Sequence, residues 1–123
     1  MSYTKYDDEE DIQVGDTLSI INDKVTKSLL NDNNKLLGIC SKINEDNTIE
    51  VVQEGIIDVN VEGFIGGIGT ALTISDKEFG KLHQIPQDVL ESQQYNLPII
   101  GRVIGIYNVY DKVQIIIDNR SFM

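Results

Sequence analysis

The chain has 123 residues, 20 acidic against 10 basic side chains for a net charge of −10, and a single cysteine, Cys40. That length fits one domain with its own hydrophobic core, and one cysteine excludes a disulfide framework. An acidic surface without a Lys or Arg run repels a phosphate backbone or an anionic bilayer, and no stretch approaches the roughly 20 apolar residues that span a membrane, so neither nucleic acid nor membrane is expected as a partner.

Residues 1–11 read as an arm. Asp7, Asp8, Glu9, Glu10 and Asp11 form an unbroken acidic run with no apolar face to bury, unlike the apolar centre of a signal peptide. The run is either a solvated tail or an arm that docks on a basic neighbouring subunit.

From residue 12 to the end at 123 the pattern is that of one β-domain. Ile and Val dominate the apolar set and Trp is absent, a composition suited to pleated surfaces. Ile12–Val14 lead to a turn at Gly15-Asp16, and Thr17 to Ile21 nearly alternate as a strand. Asn22-Asp23-Lys24 is a turn, Val25 to Leu30 a short strand, and Asn31 to Asn34 a loop. Leu36 to Ile43 is a strand interrupted by Gly38, which suggests a bulge, and Thr48 to Gln53 is its hairpin partner. In Ile56 to Glu62, Ile57, Val59 and Val61 share one face and Asp58, Asn60 and Glu62 the solvent face. Gly63 to Gly69 is a glycine-rich corner, and Thr70 to Ser75 another strand. Residues 76–98 are irregular, with at most one short helix near 86–94 opened by Pro86. Ile99 to Tyr107 and Lys112 to Ile117 make the final hairpin.

These strands repeat. Val14 to Ile20 reads against Ile68 to Ile74, Leu36 to Ile39 against Ile99 to Arg102, and Thr48 to Val52 against Lys112 to Ile116, in the same order. The expected fold is therefore all-β: a single β-barrel or β-sandwich built from two similar β-units. The change in spacing between the copies falls in segment 76–98.

No catalytic, cofactor-binding or metal-binding residue is expected. Cys40 sits in an apolar strand, where a buried thiol is the usual outcome, and His83 is expected to be solvated. One cysteine and one histidine cannot build a multi-ligand His/Cys metal site. The acidic runs lack the alternating spacing of a calcium loop. Gly67-Ile68-Gly69 lacks the third glycine and the following helix of a phosphate-binding loop.

Gly55-Ile56-Ile57-Asp58 followed by Gly63 resembles one motif of the trimeric dUTPases. The aromatic residue of that motif is missing from positions 59–62, and neither the Arg-Ser-Gly motif nor the Gly-rich C-terminal arm is present.

A wider resemblance rests on Gly15-Asp16-Thr17-Leu18, Leu37-Gly38-Ile39, Gly55 with Ile57 to Gly63, and Ile100-Gly101-Arg102-Val103. Over about residues 14–117 this grammar resembles accessory virion proteins of tailed bacteriophages: capsid decoration, head-fibre and fibre-tip β-domains. The second unit departs from it, with Gly69-Thr70 in place of Gly-Asp. The resemblance implies a non-enzymatic virion protein, commonly a homotrimer, that docks on a capsid or fibre. The candidate surfaces for contact with itself and other virion proteins are Gly63, Phe64, Ile65, Gly66 and Gly67, and Leu97, Pro98 and Ile99; the alternative is that both segments are ordinary core and turn. The alternatives are a carbohydrate- or peptide-binding β-module using Tyr3, Tyr6, Tyr95, Tyr107 and Tyr110, and a small all-β enzyme of the dUTPase type.

Overall fold

The computed structural model describes residues 2–4, 11–30, 35–63, 65–92, 97–106 and 111–122. Its first half contains β1 (Ser2–Thr4), β2 (Thr17–Ile21), β3 (Lys24–Lys27), β4 (Lys35–Ile43) and β5 (Thr48–Val52). The second contains β6 (Ile56–Asn60), β7 (Ala71–Ile74), β8 (Leu82–Gln84), β9 (Gly101–Ile106) and β10 (Lys112–Ile117). One short helix, α1 (Gln87–Ser92), lies between β8 and β9, and a 3-10 turn at Asn119–Ser121 follows β10.

Local chemistry sets the turns. Asn22 and Asp23 hold positive φ angles of 51° and 64°, as a two-residue hairpin requires, and so join β2 tightly to β3. Gly15 and Gly69 both have φ of 94°, each the third residue of a type II turn. Those turns close through Asp16 N–H to Gln13 O at 3.0 Å and Thr70 N–H to Gly67 O at 3.2 Å.

The strands form two five-stranded antiparallel sheets, ordered β1-β5-β4-β2-β3 and β6-β10-β9-β7-β8. The two orders are the same pattern, displaced by five strands. The edges of the second sheet meet at a parallel bridge between Val61 and Leu82, backed by Glu62 N–H to Leu82 O at 2.9 Å, so this sheet curls towards a barrel.

Register confirms the two similar units residue by residue. Leu18 faces Gly38 on the neighbouring strand as Leu72 faces Gly101. Cys40 faces Val51 as Val103 faces Ile115, and each ladder then skips one residue, Ser41 in β4 and Ile104 in β9. The buried side chains correspond in turn: Leu18, Val25, Leu37, Cys40, Ile49 and Val51 fill the first core, and Leu72, Leu82, Ile100, Val103, Val113 and Ile115 the second.

The two units are packed together. Ile39, fully buried, joins the second core rather than its own, and Leu36, Val52 and Leu30 lie against it. The β7–β8 hairpin is longer than its counterpart and reaches over the first unit. Its Gly80 accepts from Thr17 N–H and donates to Ser28 O, both at 2.8 Å, while Ser75 O accepts from Leu30 N–H at 3.0 Å.

Three local expectations are changed by this packing. Asn60, read as solvent-facing, is buried, because the first unit covers that end of β6. The irregular segment 76–98 contains strand β8, drawn into the ladder by Leu72, Thr73 and Ile74 of β7. Ser2–Thr4, within the arm, adds a strand to β5 with Tyr3 opposite Ile49, which covers an edge that would otherwise present unpaired backbone.

Candidate functional site

A polar node holds the two units in register. Asp16, buried at the start of β2, accepts from Gln13 N–H at 2.8 Å and from Asn60 Nδ2 at 2.7 Å, and pairs with Lys27 Nζ at 3.6 Å. Asn60 also donates to Val14 O at 3.1 Å, and its Oδ1 accepts from Lys112 Nζ at 2.6 Å. A buried carboxylate of this kind is tolerable because its oxygens are met by a cation and by donors.

A second polar cluster lies where β6 runs on to meet the β7–β8 hairpin. Glu62 Oε1 accepts from Ser75 Oγ at 2.9 Å and lies 3.2 Å from His83 Nδ1. Asp76 follows Ser75, and ligand atoms of Glu62, Asp76 and His83 all lie within 4.8 Å of one another. Ser75 Oγ in turn accepts from the N–H groups of Lys77 and Glu78 at 3.0 and 3.1 Å. The serine hydroxyl is thus bonded to the carboxylate and the turn amides, whereas a Ser-His-acid nucleophile needs it on the imidazole. His83 is half-buried and partnered, contrary to the expectation of a solvated ring, because Glu62 meets it from a strand 21 residues away in sequence. Cys40 is a buried free thiol, as expected.

The expected contact residues fall in two places. In the glycine corner, Gly63, Gly66 and Gly67 are described, Gly66 N–H donates to Gln84 Oε1 at 2.6 Å, and Ile65 packs on the second core; Phe64 lies outside the described residues. Leu97 and Ile99 line a shallow cavity of about 270 Å³ with Asp118, Arg120 and Ser121, and Pro98 between them is half-buried. Asp7 to Glu10 of the arm lie outside the described residues; Asp11 is exposed and lines a depression of about 430 Å³ with Thr26, Lys27 and Phe79.

Beside Ile99 the outer face of the second sheet is open. Arg102 and Ile116 line an adjoining cavity of about 290 Å³, and Ile56, the neighbour of Ile116 across the β6–β10 ladder, is 62% exposed. Arg120 borders both cavities, its Nε and Nη2 donating to the two oxygens of Asp118 at 2.9 and 2.6 Å. That hydrogen bonding holds the Asp118 carboxyl below its ordinary range.

The polar clusters were missed in the sequence because their members are distant along the chain and lie in rows of ordinary polar residues. Leu97 and Ile99 border the open face, and the repeat itself identifies Ile99 as the partner of Leu36. Compared with known proteins, the chain matches no family model, no curated protein and no solved structure.

Proposed function

We propose that the chain is a non-enzymatic structural protein that assembles with further copies of itself, of the class of phage capsid decoration or head-fibre proteins, on whose surface it works with other virion proteins. The observation that carries this reading is the unequal environment of equivalent residues. Leu36, Ile39 and Val52 of the first unit pack against the second core. Their counterparts Ile99, Arg102 and Ile116 lie on the open face of the second unit, where Ile116 remains 50% exposed. The fold therefore already contains one sheet-face interface, and repeats the same face, uncovered, at its other end.

An uncovered apolar face on a sheet favours association. Two features favour a second copy as its occupant. The face continues an interface the chain already makes within itself. Its exposed cation, Arg102, suits a chain whose acids outnumber its bases 20 to 10. The virion class and the trimer come from the sequence resemblance.

Light scattering on a sizing column tests the reading. The expected mass is that of a homotrimer for the intact chain, falling to a monomer in Ile116→Asp. A monomer at high concentration for the intact chain overturns it, and saturable glycan binding by that monomer would put a carbohydrate-binding module in its place.

A further inference from the structure

We propose that Glu62, Asp76 and His83 form a binding site for one divalent transition-metal ion of the zinc type. The donor set is two carboxylates and an imidazole with room for a solvent ligand, the composition that zinc and its neighbours in the first transition row accept. The three ligand atoms lie within 4.8 Å of one another. The Glu62 Oε1 to His83 Nδ1 separation of 3.2 Å is close to the edge of a tetrahedron with metal bonds of about 2.0–2.1 Å. These two atoms, now in direct contact, are spaced to share an ion, with the imidazole proton then carried on Nε2.

The surroundings fit that role. Ser75 donates to Glu62 and is itself held by two turn amides, the outer support that orients a metal-ligating carboxylate. Glu62 is anchored by its own N–H on Leu82 O, and His83 by its pairing opposite Thr73. A second, independent observation comes from Thr73. Its Oγ1 is fully buried and has no hydrogen-bond partner among the described residues, and strand alternation and register put it on the same face as His83 and Ser75. In the first unit the equivalent hydroxyl, Ser19 Oγ, is satisfied by Ser28 Oγ at 2.6 Å. A metal-bound water would give Thr73 the partner it lacks.

Among the described residues the site belongs to the second unit alone. Thr26 occupies the place of His83 in the first, opposite Ser19 as His83 is opposite Thr73. The first unit's hairpin also closes through Asn22 and Asp23 with no counterpart of Asp76. The donor set therefore arises at the hairpin in which the second copy departs from the first.

Titration of the full chain with zinc chloride by isothermal calorimetry, paired with cobalt(II) absorption, tests this. One ion per chain is expected, with a tetrahedral or five-coordinate cobalt spectrum. Asp76→Asn and His83→Gln should each weaken binding by about tenfold or more. Asp76 is exposed, so its variant keeps the test valid even if the histidine variant misfolds. Absence of binding, or equal affinity in the intact chain and Asp76→Asn, overturns the proposal, the latter assigning the ion to the acidic surface elsewhere.

Discussion

Gly38 and Gly101 stand before the same obstacle: a Cβ on either would lie 2.5 Å from a carbonyl oxygen of the next strand, Val52 O for one and Ile116 O for the other. The next contacts match as well, Val51 Cγ1 at 2.6 Å and Ile115 Cδ1 at 2.7 Å. Two places 63 residues apart thus share one close backbone approach, which no side chain can enter without displacing the ladder.

Gly38→Ala and Gly101→Ala should therefore each destabilise the protein by about 1–3 kcal/mol, the usual cost of forcing an extra methyl into a packed ladder. Urea denaturation of each variant measures it. A loss below about 0.5 kcal/mol at either position would show that the strand can shift to admit the methyl group.

Asn60→Ala should cost more than a surface polar change, about 2–3 kcal/mol, because it strips donors from the buried Asp16 carboxylate and Val14 O and an acceptor from Lys112. The same denaturation experiment decides it. A neutral result would mean that the node is dispensable and that apolar packing alone joins the units.

The equivalent residues Val52 and Ile116 should respond differently to aspartate. Val52→Asp places a charge against the second core and should lower the melting temperature markedly, whereas Ile116→Asp, on the exposed face, should leave it nearly unchanged. Calorimetric scans of the two variants at low protein concentration make the comparison, and equal losses would contradict the assignment of covered and open faces.

Asp118 should titrate below the ordinary aspartate value of about 3.9 because Arg120 hydrogen-bonds its ionised form. A lowered native value means a contribution to stability that is present above about pH 3.9 and is lost as the pH falls through the native value. The pair is solvent-screened, so the contribution is small. Carbon-detected NMR titration should find the midpoint low in the intact chain and raised towards the ordinary value in Arg120→Ala. An unchanged midpoint would remove the arginine as its cause.

The β-class, the duplication and most strand positions were legible because they depend on local alternation and on glycines at turns. Ile57, Val59 and Val61 are one example; Gly15 and Gly69, at the same step of two units, are another. What was not legible depends on neighbours far along the chain. Asn60 occupies the polar row of its strand and gives no local sign that Asp16 will cover it. Lys81 to Gln84 carries too weak an alternation to mark β8, which forms because β7 offers it a partner. Glu62 and His83 each look like a single surface residue until Leu82 is bridged to Val61.

The contact of Gly80 with the first unit imposes an order in time. Thr17 and Ser28 are made early in synthesis, yet the amide and the carbonyl they offer are met by Gly80, translated 63 and 52 positions later. A nascent first half leaving the ribosome would still present that gap and the uncovered Ile39 to solvent. The first unit is thus completed by the second, and maturation of the N-terminal half waits on the chain that follows it.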